Sequence, residues 1–197
     1  INNTQCFFSD MDIGQIRSAL TSEIHTTPPA ELDGNKPASV LIVIYGKEPL
    51  ILMTEKARTL KVHAGEISFP GGKWCRKDHD LLETAIRETK EELCLQISSE
   101  QVIGQLDSVI TLNSKYKITP FIAVLENISS LKANSEVESI LHIPFASLLR
   151  TISEDTLPEH RSIKEMYTFT FEKHQVWGAS ARMLRQIHVI LSEKNLL

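Results

Sequence analysis

From Ala38 to Tyr45 the chain is apolar at nearly every position, and after Gly46 to Pro49 a second apolar run, Leu50 to Met53, follows. Two strands around a turn are predicted, the first buried on both faces as at the centre of a sheet. Val102 to Leu112 and Lys117 to Leu125 are rich in β-branched residues and predict two more strands, joined by a polar turn around Asn113 and Ser114. Tyr167, Phe169 and Phe171 alternate with Met166, Thr168 and Thr170, predicting a strand with one aromatic face, with Gln175 to Gly178 as its partner or edge. Such a face either packs in a core or stacks a base.

A helical period governs three other stretches. Ile13, Ile16, Leu20 and Ile24 follow the capping candidates Asp10 and Asp12, and Met183, Leu184, Ile187, Ile190 and Leu191 stripe the segment Ala179 to Leu191. Between them, Leu82, Ala85, Ile86, Thr89 and Leu93 form a stripe behind Asp80, whose partner in a capping box is Glu83. Pro144 opens a short helix near Ser147 to Arg150, and Pro28, Pro29, Gly34 and Pro37 break the chain into a loop. Strands and helices mixed in this order predict an α+β fold. Residues 1–36, the first helix and its loop, read as an extension of one domain at 37–197.

Composition narrows the class. A chain of 197 residues with 42% hydrophobic and 23% charged residues and a net charge of -4 describes a globular domain, not a basic nucleic-acid binder. Polyanionic ligands would have to be met by local cations. The three cysteines, Cys6, Cys75 and Cys94, have no zinc-like spacing, which predicts free thiols in a reducing, cytoplasmic setting. No apolar run is long enough for a membrane-spanning helix. Oligomeric state is not readable from the sequence, and a homodimer is carried as an option beside the monomer.

Chemistry enters on the polar side of the central helix. Glu88, Glu91 and Glu92 are related by three and four residues and share a face. Taken alone, the trio reads as a solvated acidic patch. Like charges held together raise one another's pKa, however, and an all-oxygen cluster suits Mg²⁺ or Mn²⁺, so a hard metal site is the second reading. The segment Glu55 to Glu66, with Lys56, Arg58, Lys61 and His63, is too polar for a buried element and predicts a long loop. Its cations either grip phosphate or simply face solvent.

From Gly72 the sequence is G-x5-D-x8-R-E-T-x-E-E-x-C-L. This resembles the box of the Nudix family, G-x5-E-x7-R-E-U-x-E-E-x-G-U with U aliphatic. Immediately upstream, Leu52-Met53-Thr54 through Phe69-Pro70-Gly71-Gly72 resembles the added signature of the coenzyme A pyrophosphatase branch, as do Thr119-Pro120-Phe121 and Trp177-Gly178 further on. Asp78 stands for the first Glu, with one extra residue before Arg87, as is usual in that branch. Cys94 replaces the Gly beyond the helix, where a left-handed residue is costly without glycine, so a different helix end is expected. Lys56 and Lys61 replace Arg, losing forked hydrogen bonds, while Ala57 and Ile67 replace Ser and Val.

The resemblance implies a Nudix-type α/β/α sandwich with a mixed sheet. It further implies Mg²⁺ or Mn²⁺ on Glu88, Glu91 and Glu92, with Arg87 holding the carboxylates by hydrogen bonds. Gly71 and Gly72 would let the backbone approach closely, and Lys56, Arg58 and Lys61 would face the phosphates. The general base is open among Glu91, Glu92 and, in the late loop, Glu136. The implied substrate is coenzyme A or an acyl derivative, cleaved to 3',5'-ADP and 4'-phosphopantetheine or its acyl form. Another nucleoside diphosphate derivative (ADP-ribose, NADH or a dinucleoside polyphosphate) is the alternative, and a non-catalytic nucleotide-sensing module is the reading from a different class.

Overall fold

Strand β1 (Lys36–Tyr45) explains the continuous apolar run: Ile42 and Ile44 point into one core, Leu41, Val43 and Tyr45 into another. A central strand covered on both faces has no solvent side to keep polar. The computed structural model describes residues 11–26, 34–60, 62–111, 114–154 and 166–197. Asp10, Lys61, Leu112, Asn113, Cys6 and most of the loop before Gly34 lie outside them.

Before β1 comes helix α1 (Ile13–Leu20), and after it β2 (Leu50–Lys56), β3 (Ile67–Ser68), β4 (Gly71–Lys73) and helix α2 (Leu81–Leu93). The chain continues through β5 (Val102–Gln105), β6 (Val109–Ile110), β7 (Tyr116–Leu125), β8 (Val137–Pro144) and α3 (Phe145–Arg150). It ends with β9 (Ser153–Glu154), β10 (Tyr167–Phe171), β11 (His174–Val176) and α4 (Gly178–Glu193).

Eight of these strands make one mixed sheet, with β1 and β7 parallel from Lys36↔Tyr116 to Tyr45↔Leu125 and the other pairs antiparallel. On one face, Leu82, Ala85 and Leu93 of α2 meet Leu41, Val43, Phe121 and Ala123. On the other, Ile16 and Leu20 of α1 and Leu184 and Ile187 of α4 meet Ile42, Ile44, Ile122 and Val124. Helices on both faces of a mixed sheet make the expected α/β/α sandwich. A separate small sheet, β11-β10-β9, completes the second core, with Phe169 fully buried and Tyr167 and Phe171 packed against it. The aromatic face is therefore core, not a stacking platform for a base.

The feature that makes room for a site is a parting of two strands. β1 and β2 pair only at Ile44↔Ile51 and Tyr45↔Leu50, next to their turn. Further along, β3 pairs with β2 and β4 with β1, so residues 67–73 run between the separated strands.

Three predicted elements differ. The loop expected from Glu55 to Glu66 starts later, because Glu55 and Lys56 close β2 by pairing with β8. The first helix stops at Leu20 rather than running to Ile24, because the chain leaves it to bond β5: the Ser22 N–H donates to the Ile103 carbonyl at 3.1 Å. Gly104 allows that approach, since a Cβ there would lie 2.3 Å from the Leu20 carbonyl oxygen. The predicted strand Val102 to Leu112 is broken into β5 and β6 by residues 106–108. There the Asp107 backbone exchanges hydrogen bonds with the Gln186 side chain of α4, at 2.9 and 3.0 Å, instead of with a neighbouring strand.

Candidate active site

Asp80 caps α2, its carboxylate accepting from the Glu83 N–H at 2.8 Å; Glu83 reaches back to the His79 N–H at 2.6 Å, one residue earlier than a capping box requires. At the other end Cys94 adopts the left-handed conformation itself, at φ 55° and ψ 19°. The helix thus ends where the box places its glycine, not differently as expected. Rigid ends fix the azimuth of every side chain between them.

That azimuth separates the three glutamates. Glu91 is exposed, Glu88 half-buried, and Glu92 is inside, at 2% exposure. Arg87 organises the first two. Its Nε and one terminal nitrogen take both Asp78 oxygens at 2.8 and 2.9 Å, while the other terminal nitrogen donates to Glu88 at 2.9 Å and Glu91 at 3.2 Å. Asp78 is buried and also receives the Thr84 hydroxyl at 2.8 Å. The Arg87 guanidinium holds its carboxyl far below the usual carboxylate range, against the opposing effect of burial. Arg87 is pushed further up in turn, chiefly by Asp78.

Glu92 has different partners. Lys56 Nζ lies 2.5 Å from one oxygen and the Gly71 N–H 3.4 Å from the other. Burial pushes its pKa up, Lys56 and the Gly71 amide pull it down, and neighbouring Glu88 adds to the rise. The glycine pair makes this contact feasible. Gly71 sits at φ +151°, and a Cβ on it would meet the Ser39 carbonyl oxygen at 2.3 Å; a Cβ on Gly72 would lie 2.5 Å from the Glu88 carboxylate carbon. Both glycines serve close approach inside the protein.

The other expected site residues are scattered. Glu136 is exposed in the turn before β8; its carbonyl accepts from the Ala57 N–H at 2.9 Å, and the Asn134 N–H ties the same loop to the Glu92 carbonyl at 2.9 Å. Arg58 is 80% exposed, 3.8 Å from Glu55 and away from the cleft. Lys56, expected on phosphate, is engaged by Glu92. Lys61 lies outside the described residues.

A cleft of about 850 Å³ opens beside the glycine turn. Glu136, Lys56, His63 and Glu66 line it, as do Lys73, Tyr116 and Arg182, with the start of α4 and a largely apolar wall that includes Met183. Sequence reasoning missed Asp78 as the anchor of Arg87 and did not single out Lys73, Tyr116 or Arg182. Arg182 lies off the apolar stripe of its helix, and the carbonyl it binds, that of Ile110, is 72 positions away; no local pattern marks such a residue.

Fold and site together define a sandwich that sets a helix-borne carboxylate cluster against a glycine turn; the glycines line the cleft, while Glu88, Glu91 and Glu92 are not among its lining residues. The NUDIX domain family model matches residues 35–174. The uncharacterized Nudix hydrolase NudL of Photorhabdus laumondii is 34% identical over 165 residues, 81% of this chain and 88% of that protein. The uncharacterized Nudix hydrolase NudL of Yersinia enterocolitica is 33% identical over 154 residues, covering 76% of this chain and 78% of that protein. Among solved structures, a MutT/nudix family protein from Enterococcus faecalis aligns with a TM-score of 0.59 at 13% identity, over 87% of this chain and 66% of that one. The chain belongs to the Nudix hydrolase family. Nudix hydrolases generally use divalent metal ions and take small nucleotide derivatives as substrates.

Whether these residues suit such an ion is a question about oxygens. Among the described residues no three metal-ligating groups stand assembled as a ready cluster. Lys56 and Arg87 instead hold the carboxylates, as counter-ions do. One Glu88 oxygen and one Glu91 oxygen keep no hydrogen bond among the described residues, and Glu88 is close enough to Glu92 to raise its pKa. Hard anionic oxygens on a rigid helix, repelling one another, fit a divalent cation.

Proposed function

We propose that this Nudix hydrolase is a diphosphatase that cleaves coenzyme A or acyl-coenzyme A to 3',5'-ADP and 4'-phosphopantetheine or its acyl form, with Mg²⁺ or Mn²⁺ held by Glu88, Glu91 and Glu92. The observation that carries the reading is the meeting of two sequence signatures at one point. Glu92 bonds the Gly71 N–H, and Glu88 packs on Gly72, so the helix of the Nudix box closes on the turn that ends the coenzyme A signature. When bound, the ion would lower the pKa of water and offset charge on the phosphoryl oxygens. Arg87 orients Glu88 and Glu91, and Gly71 and Gly72 clear the space beside them. A glutamate, Glu91, Glu92 or the cleft-lining Glu136, takes the proton from the attacking water.

Residues 37–197 would form the catalytic unit, with the N-terminal helix docked on α4 as its extension. The free thiols of Cys75 and Cys94 support a reducing, cytoplasmic setting. A second reading, hydrolysis of ADP-ribose, NADH or a dinucleoside polyphosphate, is favoured by the position of Lys56 on Glu92 and of Arg58 outside the cleft, which weakens the phosphate grip expected for coenzyme A.

Chromatography of the products from coenzyme A, ADP-ribose and NADH, each with Mg²⁺, with Mn²⁺ and with chelator, tests both. Metal-dependent 3',5'-ADP from coenzyme A, formed faster than products of the others, supports the first reading. Faster turnover of another substrate replaces it with the second.

A further inference from the structure

Arg182 reaches the cleft from α4 with its charge unpaired among the described residues. One terminal nitrogen donates to the Ile110 carbonyl at 2.6 Å, but Nε is buried with no acceptor. Burial lowers its pKa, as expected for a cation whose lost hydration is not replaced by an anion. A buried polar hydrogen without an acceptor is uncommon and calls for one.

Two more cations stand close by. Ile110 pairs with Lys117, and the Thr111 N–H donates to the Tyr116 carbonyl, so the carbonyl gripped by Arg182 lies at the end of the strand that carries Tyr116. The Tyr116 ring has Lys36 Nζ at 5.7 Å and Lys73 Nζ at 5.5 Å. Lys73 directly follows Gly72, the residue packed on Glu88. Charge therefore changes sign along β4: Glu88 packs on Gly72 from outside the cleft lining, and one residue further Lys73 begins a cationic group with no ion-paired acid among the described residues. The first residues of α4, Gly178, Ala179 and Ser180, line the same cleft, and that turn carries no acidic residue.

We propose that Arg182, with Lys73 and Tyr116, forms a second anion subsite that holds a phosphate monoester other than the scissile diphosphate. The subsite makes the enzyme selective for nucleotides that carry such a phosphate. This inference rests on the proposed diphosphatase reading and deepens it. The second terminal nitrogen of Arg182, which has no acceptor among the described residues and is not closed off as Nε is, offers donors to the oxygens of a tetrahedral monoester, and Lys73 adds charge at the exposed edge. A nucleotide with only a diphosphate leaves the group unsatisfied.

The test is calorimetric binding, in chelator and at fixed low salt, of two probes that differ by one phosphate: adenosine 3',5'-bisphosphate and adenosine 5'-monophosphate. The wild-type chain should bind the bisphosphate about ten-fold or more tightly than the monophosphate, and Arg182→Met should bring the two within about two-fold. Equal binding by wild type, or a preference that survives Arg182→Met, overturns the subsite and leaves Arg182 as a strut for β6. Because Arg182→Met also frees the Ile110 carbonyl, Lys73→Met is the second variant. Lys73 is exposed, and its loss should shrink the preference at least about three-fold; an unchanged preference also overturns the proposal. Neither probe is turned over. A chain that prefers the bisphosphate yet leaves coenzyme A intact would refute the proposed reaction and keep the subsite, whereas cleavage of coenzyme A without any preference would do the reverse.

Discussion

Arg87 takes both carboxylate oxygens of Asp78, at 2.8 and 2.9 Å, from nine residues further along the chain, and its remaining nitrogen spans Glu88 and Glu91. One buried aspartate thereby sets the position of two glutamates it does not touch. An arginine already clamped on both sides of its fork has little freedom left, so the carboxylates it contacts inherit that rigidity.

Stability should consequently depend on acid through Asp78. Its carboxyl titrates below the ordinary aspartate value in the folded chain, so the unfolded chain binds the proton first. The stabilisation is complete above about pH 5 and is lost progressively as pH falls through about 4 and below. Asp78→Asn should cost about 2–3 kcal/mol at neutral pH and flatten the acid limb. Urea unfolding at pH 7, 5, 4 and 3 checks this; a variant with the wild-type slope would remove Asp78 from the account.

Glu92→Gln separates a functional charge from a structural one. The folded protein disfavours the charge on Glu92, because burial outweighs the help from Lys56. A neutral isostere should therefore leave the melting temperature in chelator within about 3 °C of wild type, while metal-dependent turnover falls by about a thousand-fold or more. Retained activity would take Glu92 out of the proposed metal set. A collapse in stability would mean that the Lys56 pair was holding the fold.

Lys56 distinguishes two roles by kinetics. If its partner is Glu92, as the 2.5 Å contact shows, it competes with a cation for that carboxylate. Lys56→Met should then lower the metal concentration for half-maximal activity by about three- to ten-fold. A raised KM for coenzyme A with unaltered metal dependence would instead return Lys56 to the phosphate-gripping role expected from sequence.

What was legible in the sequence divides along the range of the interactions. β1 could be read because burial on both faces leaves an unbroken apolar run, and α2 because its stripe repeats every turn. The break between β5 and β6 could not, since Gln186 of α4 supplies the hydrogen bonds to Asp107. Within the site, the spacing of Glu88, Glu91 and Glu92 put them on one face but could not tell that Glu92 is buried and Glu91 exposed. Lys56 meets Glu92 from 36 positions away. Asp78 was visible only as a substitution in a motif, not as the anchor for Arg87.

Cys94 offers a prediction that turns on backbone conformation alone. At φ 55° it occupies the left-handed region, and its N–H donates to the Lys90 carbonyl at 2.9 Å to close the helix. A side chain there costs roughly 1–2 kcal/mol, of which glycine would return about 0.4–1 kcal/mol through its freer unfolded state. Cys94→Gly should therefore gain about 0.5–1 kcal/mol, a rise of about 1–3 °C in melting temperature for a chain of this size. Cys94→Ala removes the same exposed thiol but keeps the Cβ, so it should show no such gain. Equal stabilisation by alanine and glycine would place the effect in the thiol and acquit the backbone; a gain confined to glycine would show that the helix end tolerates cysteine at the expense of stability.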